Sequence, residues 1–428
     1  MKKTAVFVML MSVTLIFGGD LFVVNSNSQT MSKIETGSGN VNNDFAVLGQ
    51  FPGTAPNKAA FENGFAYVVI SYENCVQKID ISSGNIRSYI FLEDSSTPND
   101  IVIAEGYAYV TGNITNKVYK IDLADDSVVG NVTVGTSPQG MCIYENSLYV
   151  CNTGFNQSDY TYEPGSVSVI DHDTFEVTET ISVSTNPAVA AIVNGDLHVV
   201  CTGDYVNNFG KVDIVNLEDY QTETIIDIGS SPASITFANN GKVYLGNAWP
   251  AGIFVYDAQT YEIESTPDDA VFIGGNSVSC NDEYLVVGDA VDYIQNSVVR
   301  LYNLSDYSLA EEYEVGVGVT DAKFYEAGTD AEHEELQISE YELSNYPNPF
   351  NPTTTISFEI SSELNQLNEQ TTIQIFNAKG QEVDQLQITN NDLLINTLTW
   401  NAENFASGVY FYKLNLPDSP TKKMILLK

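Results

Sequence analysis

Histidine is the scarcest reactive residue in this chain: only His172, His198 and His333 occur among 428 residues. No two stand at the i, i+4 spacing that a helical zinc pair needs. His172 falls in a strand-to-strand turn, His198 replaces a repeated tyrosine, and His333 lies in an acidic stretch. Each reads as structural or solvated rather than as a base. The five cysteines, Cys75, Cys142, Cys151, Cys201 and Cys280, match no zinc pattern, and an odd count leaves at least one thiol free. Cys142 and Cys151 flank the turn at Glu145-Asn146-Ser147, so a cross-strand disulfide is one reading. Small buried hydrophobes are the favoured one. No nucleophile elbow, P-loop, dinucleotide fingerprint or EF-hand loop is present. Asp171-His172-Asp173 occupies the same turn position as Asp125-Asp126 and Asp306, which favours a turn over a calcium site. Paired acids could hydrolyse glycosides, yet no pair stands out from the many carboxylates. These residues predict no catalytic group and no bound metal or other cofactor; calcium is the one ion the acidic loops could take.

Binding chemistry is better supplied. Four segments combine aromatics with amides and acids: TGFNQSDYTYEPGS, TGDYVNNFG, GNAWPAG and GDAVDYIQNS. They carry Asp159, Tyr160 and Tyr162, then Asp204 and Tyr205, then Trp249, then Asp292 and Tyr293. Asn57, Asn99 and Gln139 each follow a proline and are expected to face the same opening. Exposed rings beside carboxylates and amides suit sugar rings, cationic peptides or divalent cations.

The elements that must position these residues repeat. Prolines recur at Pro56, Pro98, Pro138, Pro187 and Pro232, a period of 40 to 49 residues. After each comes an aromatic-aliphatic strand, such as AYVV at Ala66 or LYVC at Leu148. Next comes a run ending in an acid or amide: VQKID, VYKID, VSVID, VDIVN, IFVYD and VRLYN. The turn residues are Asp80, Asp122, Asp171, Asn216, Asp257 and Asn303. Each unit holds about four short alternating strands, and nothing between residues 45 and 326 looks helical. Such a unit cannot cover both faces of its own sheet, so stacking of units is required. The expected fold is all-β: a β-propeller, with seven blades favoured over six, followed by a small β-sandwich. Phe45–Phe51 and Thr320–Glu326 would be the outer and inner strands of an incomplete seventh blade, with Glu335–Leu343 as a further candidate. The proline start, Tyr109-Val110-Thr111 and the Ile-Asp turn resemble YVTN-type repeats of the surface-layer-like and YncE-like propellers. That resemblance covers residues 45–326 and speaks to fold more than to activity.

After Glu326 the composition shifts. Residues 327–343 read as a linker or a partial blade strand. Ser344 then opens SNYPNPFNPTTTISFEI, followed by IFNAKGQEV, LLINTLTW and ASGVYFYKLNLPDSPTKKMILLK. The alternation suggests an immunoglobulin-like sandwich. Residues 344–428 resemble the type A C-terminal sorting domain of the type IX secretion system. The marks are Tyr346, Pro347, Asn348, Pro349 and Phe350 at the entry, Gly380 in the turn, Gly408 and Tyr410 near the end, and Lys423 before the last strand. The resemblance implies passage across the outer membrane by type IX machinery, then release or attachment at the cell surface.

The start fits that address. Lys2 and Lys3 precede an apolar run from Thr4 to Phe17, so residues 1–19 read as a signal peptide and 20–44 as a linker. The run is too short to span, so no transmembrane anchor is expected in the mature protein. Acids outnumber bases 56 to 17, a net charge of −39. Residues 45–340 hold 44 of the acids and 9 of the bases. Nucleic acid is disfavoured as a partner, since it needs clustered Lys and Arg. The expected protein is a monomeric, secreted or surface-attached, non-catalytic propeller that binds a glycan, another polymer or a protein. Two alternatives remain: a secreted lyase or hydrolase acting on carbohydrate or peptide, and a surface-layer component.

Overall fold

A computed structural model describes residues 19–248, 251–269, 271–325, 341–346, 350–360, 372–377, 381–388, 396–415 and 422–428. The signal reading, His333, Trp249, Pro347, Asn348, Pro349 and Gly380 lie outside them, apart from Gly19. Residues 1–332 and 333–428 form two separate units. The described residues are all-β, with two single 3-10 turns at Ser71–Glu73 and Pro267–Asp269 and no α-helix.

The first unit contains seven four-stranded antiparallel sheets and one two-stranded hairpin. Six sheets are contiguous in sequence, and the second is representative: Pro98–Ala104, Tyr107–Gly112, Lys117–Asp122 and Ser127–Thr133. Four of the anchor prolines open a first strand (Pro56, Pro98, Pro138 and Pro187), where a missing N–H costs least. The first strands lie side by side from sheet to sheet. Val319–Tyr325 lies beside both Ser277–Cys280 and Pro56–Glu62, so the series returns to its start.

The seventh sheet corrects two expectations. Residues 20–44 are not a linker. Asp20–Asn25, Thr30–Glu35 and Asn40–Val47 are strands, and Val319–Tyr325 pairs with the first of them. Phe45 therefore belongs to a strand that begins at Asn40, and residues 335–343 are not needed to complete the sheet. The physical reason is plain in DLFVVN. Leu21 and Val23 pack with Val286 and Val299 of the sixth sheet, while Phe22 and Val24 pack with Phe61 and Val68 of the first. Both faces are covered, so this strand is a continuous apolar run rather than an alternating one.

Repeated residues latch one sheet to the next. Thr111 Oγ1 accepts from Asp100 N at 3.0 Å and donates to Gln139 O of the next sheet at 2.8 Å. Ser71 and Thr202 donate likewise to Pro98 O and Pro232 O. The acidic turns also have a structural role. Asp80, Asp171 and Asp257 accept backbone N–H groups two or three residues on, the Asx-turn geometry these residues favour. Four turns then place an aromatic in the left-handed region: Phe175, Tyr220, Tyr261 and Tyr307. Phe175, Tyr261 and Tyr307 reach back onto Tyr109, His198 and Tyr244 of the preceding sheet.

His198 shows why one repeat departs from tyrosine. The Ile of the repeated Ile-Asp is Tyr256 in the next sheet, and its hydroxyl lies 2.7 Å from His198 Nδ1. The smaller imidazole leaves room for that phenol. Burial pushes the His198 pKa down to about 3 from 6.5. Folded His198 therefore stays neutral while the unfolded chain takes up a proton as pH falls. Stability should drop by about 1.4 kcal/mol per pH unit between those two values relative to a non-titrating residue. Urea unfolding of wild type and His198→Gln, at about pH 7 and about pH 4, should show the difference between the two proteins shifting toward the variant as pH falls. A constant difference would contradict this.

The second unit is a pair of sheets over one core. Tyr341–Tyr346, Thr353–Ile360 and Asn396–Asn401 form one; Glu382–Gln387, Thr372–Asn377, Gly408–Leu414 and Lys422–Leu426 form the other. Ile356 and Trp400 from the first sheet pack with Ile373, Tyr412 and Met424 from the second.

Candidate functional site

In the first unit, loops joining second and third strands meet the connections between sheets at one end. Gln50 N and Phe51 N donate to Glu73, Ser137 Oγ donates to Phe155 O, and Val317 N donates to Ser28 Oγ. The longest of these loops, residues 153–165, folds back as its own hairpin, with Phe155 paired to Tyr162. Phe155 packs against Tyr162, tilted, and against Tyr160, edge-on, with ring centroids 5.2 and 6.1 Å apart.

Beside this hairpin is a cavity of 230 Å³. Gln139, Tyr162 and Tyr205 line it, from three separate segments, together with Phe155, Thr153, Asn186 and Thr202. Much of its wall is held in place. Asn186 Nδ2 donates to Gly203 O at 2.9 Å, Thr153 Oγ1 donates to Ser137 O, and Thr202 Oγ1 donates to Pro232 O. The recess offers aromatic faces, amides and hydroxyls, and none of its lining residues is charged. Phe155, Asn186, Thr153 and Thr202 are absent from the sequence-based candidates. Phe155 was legible as the first aromatic of its loop. The other three sit at strand ends, with no local signal.

The remaining candidates separate. Asn57 and Asn99 are half-buried on the first strands of other sheets, and Asn57 O accepts from Thr320 Oγ1. Neither lines this cavity. Asp159, Asp204 and Asp292 do not line it either; each carboxylate organises its own loop. Asp159 accepts the hydroxyl and N–H of Thr161, which hold its carboxyl below the usual range. The N–H groups of Asn208, Val206 and Asn207 do the same for Asp204, well below that range, and those of Gln295 and Ile294 for Asp292. Next to each acid stands a tyrosine in the left-handed region: Tyr160, Tyr205 and Tyr293, at φ of 59°, 61° and 60°.

The candidates for redox or acid-base chemistry are engaged elsewhere. All five cysteines are free thiols, so the Cys142–Cys151 disulfide is not formed. Cys142 lies opposite Tyr149 in its ladder, out of register with Cys151. Burial pushes the Cys142 thiol up to about 12. His172 packs on Tyr109 with Nδ1 3.6 Å from Glu105. Among the described residues no three His, Cys, Asp or Glu gather as a metal site. A larger recess of 440 Å³ lies at the opposite end, between the first two sheets, near Phe65, Tyr67, Tyr107 and Lys78. Its cation is already paired, Lys78 Nζ lying 2.7 Å from Asp126.

In the second unit, Phe350 and Tyr410 belong to the core, and Tyr410 Oη donates to Ala406 O at 2.7 Å. Gly408 begins the strand that carries Tyr410, and Lys423 is exposed on the last strand.

No curated protein matches the chain. Many solved structures share its fold, and two of them illustrate the likeness. One is the hydrazine synthase of Kuenenia stuttgartiensis, at 12% identity and a TM-score of 0.52, over 62% of this chain and 88% of that one. The other is the computationally designed Ika8 protein, at 11% identity and 0.53, over 72% and 89%. At such identity the likeness is one of fold alone. The C-terminal unit is matched directly: residues 344–428 fit the family model described as the secretion system C-terminal sorting domain, the tail of type IX secretion, which supports export to the cell surface or extracellular space.

Proposed function

We propose that this chain is an exported seven-bladed β-propeller of the YVTN type that binds a ligand through its loop end and is not a catalyst. It crosses the inner membrane behind a signal peptide, and its tail hands it to the type IX machinery at the outer membrane. Support for the propeller comes from seven similar sheets whose first strands form a closed succession, and from Thr111 serving as a latch between sheets. Support for binding rests on one observation above the others: Gln139, Tyr162 and Tyr205, far apart in sequence, line one uncharged recess. A Tyr-lined recess with amides suits a sugar ring or a polar side chain.

A glycan and protein array probed with the full chain, calcium present, tests the reading. Binding should occur, and a Tyr162→Ala, Gln139→Ala variant should weaken it by about tenfold, as loss of one stacking face and one amide implies. No binding, together with turnover of any substrate, would overturn it.

A further inference from the structure

We propose that the partner of the loop end is a polypeptide rich in Lys or Arg, held by three recurring Asp-Tyr pairs; this rests on the binding reading above. The two ends of the first unit differ sharply. Every exposed large apolar or aromatic side chain of its described residues that lies outside a strand is in a loop at this end. Phe51, Tyr72, Tyr160, Tyr205, Val206 and Ile294 are among them, each at least 63% exposed. None is at the turns of the opposite end. Their gathering at one end, with none at the other, is the asymmetry an interaction face would produce.

Charge selects the occupant. The same loops contain no Lys, Arg or His, while carboxylates occur in several of them. The two lysines at the adjoining strand ends, Lys117 and Lys211, are paired with Glu93 and Asp227. A second copy meeting it through the same end would bring the same acids and no cation. Nucleic acid and anionic lipid are repelled. A basic polypeptide is complementary.

The Asp-Tyr pairs supply the chemistry. The Thr161 hydroxyl and N–H hold the Asp159 carboxyl below the usual range, and loop N–H groups do the same for Asp204 and Asp292, so the acids of Asp159-Tyr160, Asp204-Tyr205 and Asp292-Tyr293 favour the charged form. The left-handed tyrosine beside it is 78%, 63% and 50% exposed. A cation approaching these loops meets ionised carboxylates and exposed aromatic rings on the same short segments. The chain's own lysines use that combination. Lys78 Nζ lies 5.3 Å over Tyr67 while 2.7 Å from Asp126, and Lys33 Nζ lies 5.8 Å over Phe22 while 2.7 Å from Asp20.

The test titrates the full chain with a labelled peptide of alternating Arg and Leu. Three variants are compared: Tyr160, Tyr205 and Tyr293→Ala; Asp159, Asp204 and Asp292→Asn; and, as a control, Asp125, Asp219 and Asp306→Asn at the opposite end. The Asn changes keep the oxygen that accepts the turn N–H, and both Asn variants lose equal charge. Each loop variant should weaken binding by about tenfold, and the control by less than about twofold. Equal losses in both Asn variants would reduce the effect to bulk charge and overturn the proposal. So would unchanged binding in both loop variants. If that happens while the array still finds a ligand sensitive to Tyr162→Ala, only the basic partner falls. If the array also finds nothing, the binding reading falls with it. Should the Ala variant fail to fold, the two Asn variants carry the comparison.

Discussion

A chain ending before Ser344 is expected to fold its seven sheets and yet stay in the periplasm, with little or none outside the cell. The tail's core is built from its own residues, Phe350, Ile356, Trp400, Tyr410 and Met424 among them. The core clusters of the first unit are likewise its own. Deletion should therefore remove the address and leave the cargo folded. A single substitution should do nearly the same. Trp400 is buried, its Nε1 donates to Asp384 Oδ2 at 2.8 Å, and the rings of Phe350, Phe405 and Tyr410 surround it. Trp400→Ala should cost about 3–5 kcal/mol, a large share of the stability of so small a unit. Immunoblots of medium, envelope and periplasmic fractions would check both forms. Normal release of the truncated chain would refute the sorting role.

Val23→Asp should be among the most damaging point changes in the first unit. Asp20–Asn25 lies between Thr30–Glu35 and Val319–Tyr325, so it joins the two ends of that unit. Val23 is fully buried against the sixth sheet. A carboxylate there loses the apolar contacts and adds an unpaired buried charge, for about 3–5 kcal/mol. Val47→Asp, in the outermost strand of the same sheet and 61% exposed, should change stability by less than about 0.5 kcal/mol. Urea midpoints of the two variants would decide. Equal midpoints would mean that the junction of the chain ends contributes little to stability. The strand begins at Asp20, directly after the segment read as a signal peptide, so signal removal inside residues 20–25 should be as damaging as Val23→Asp.

The local features were open to sequence reading because local physics produces them. Asp and Asn accept nearby N–H groups wherever they stand, so the turns at Asp80, Asp171 and Asp257 could be placed in advance. Periodic apolar residues reported the strands, and a strong motif reported the sorting tail. The same habit hid the role of the loop acids. Asp159, Asp204 and Asp292 were legible as loop acids facing solvent; that their oxygens also accept from the loops that carry them was not. Trp249 and much of the NYPNPFNP entry fall outside the described residues, and their roles stand as expectations.

What the amino-acid order determined by itself is the repeat, the turn chemistry, the acidic surface and the address. What tertiary structure decided is which distant segments complete one another. DLFVVN shows no alternation, so no local pattern says which sheet it joins; only the open side of Val319–Tyr325 and the apolar faces of two neighbouring sheets give it a place. Gln139, Tyr162 and Tyr205 meet for the same reason. Their separation in sequence carries no energy, and stacking of the sheets brings them to one recess. Burial of both sheet faces is a long-range demand, and the chain meets it with residues more than 300 positions apart, as Asp20 and Tyr325 show in their shared ladder.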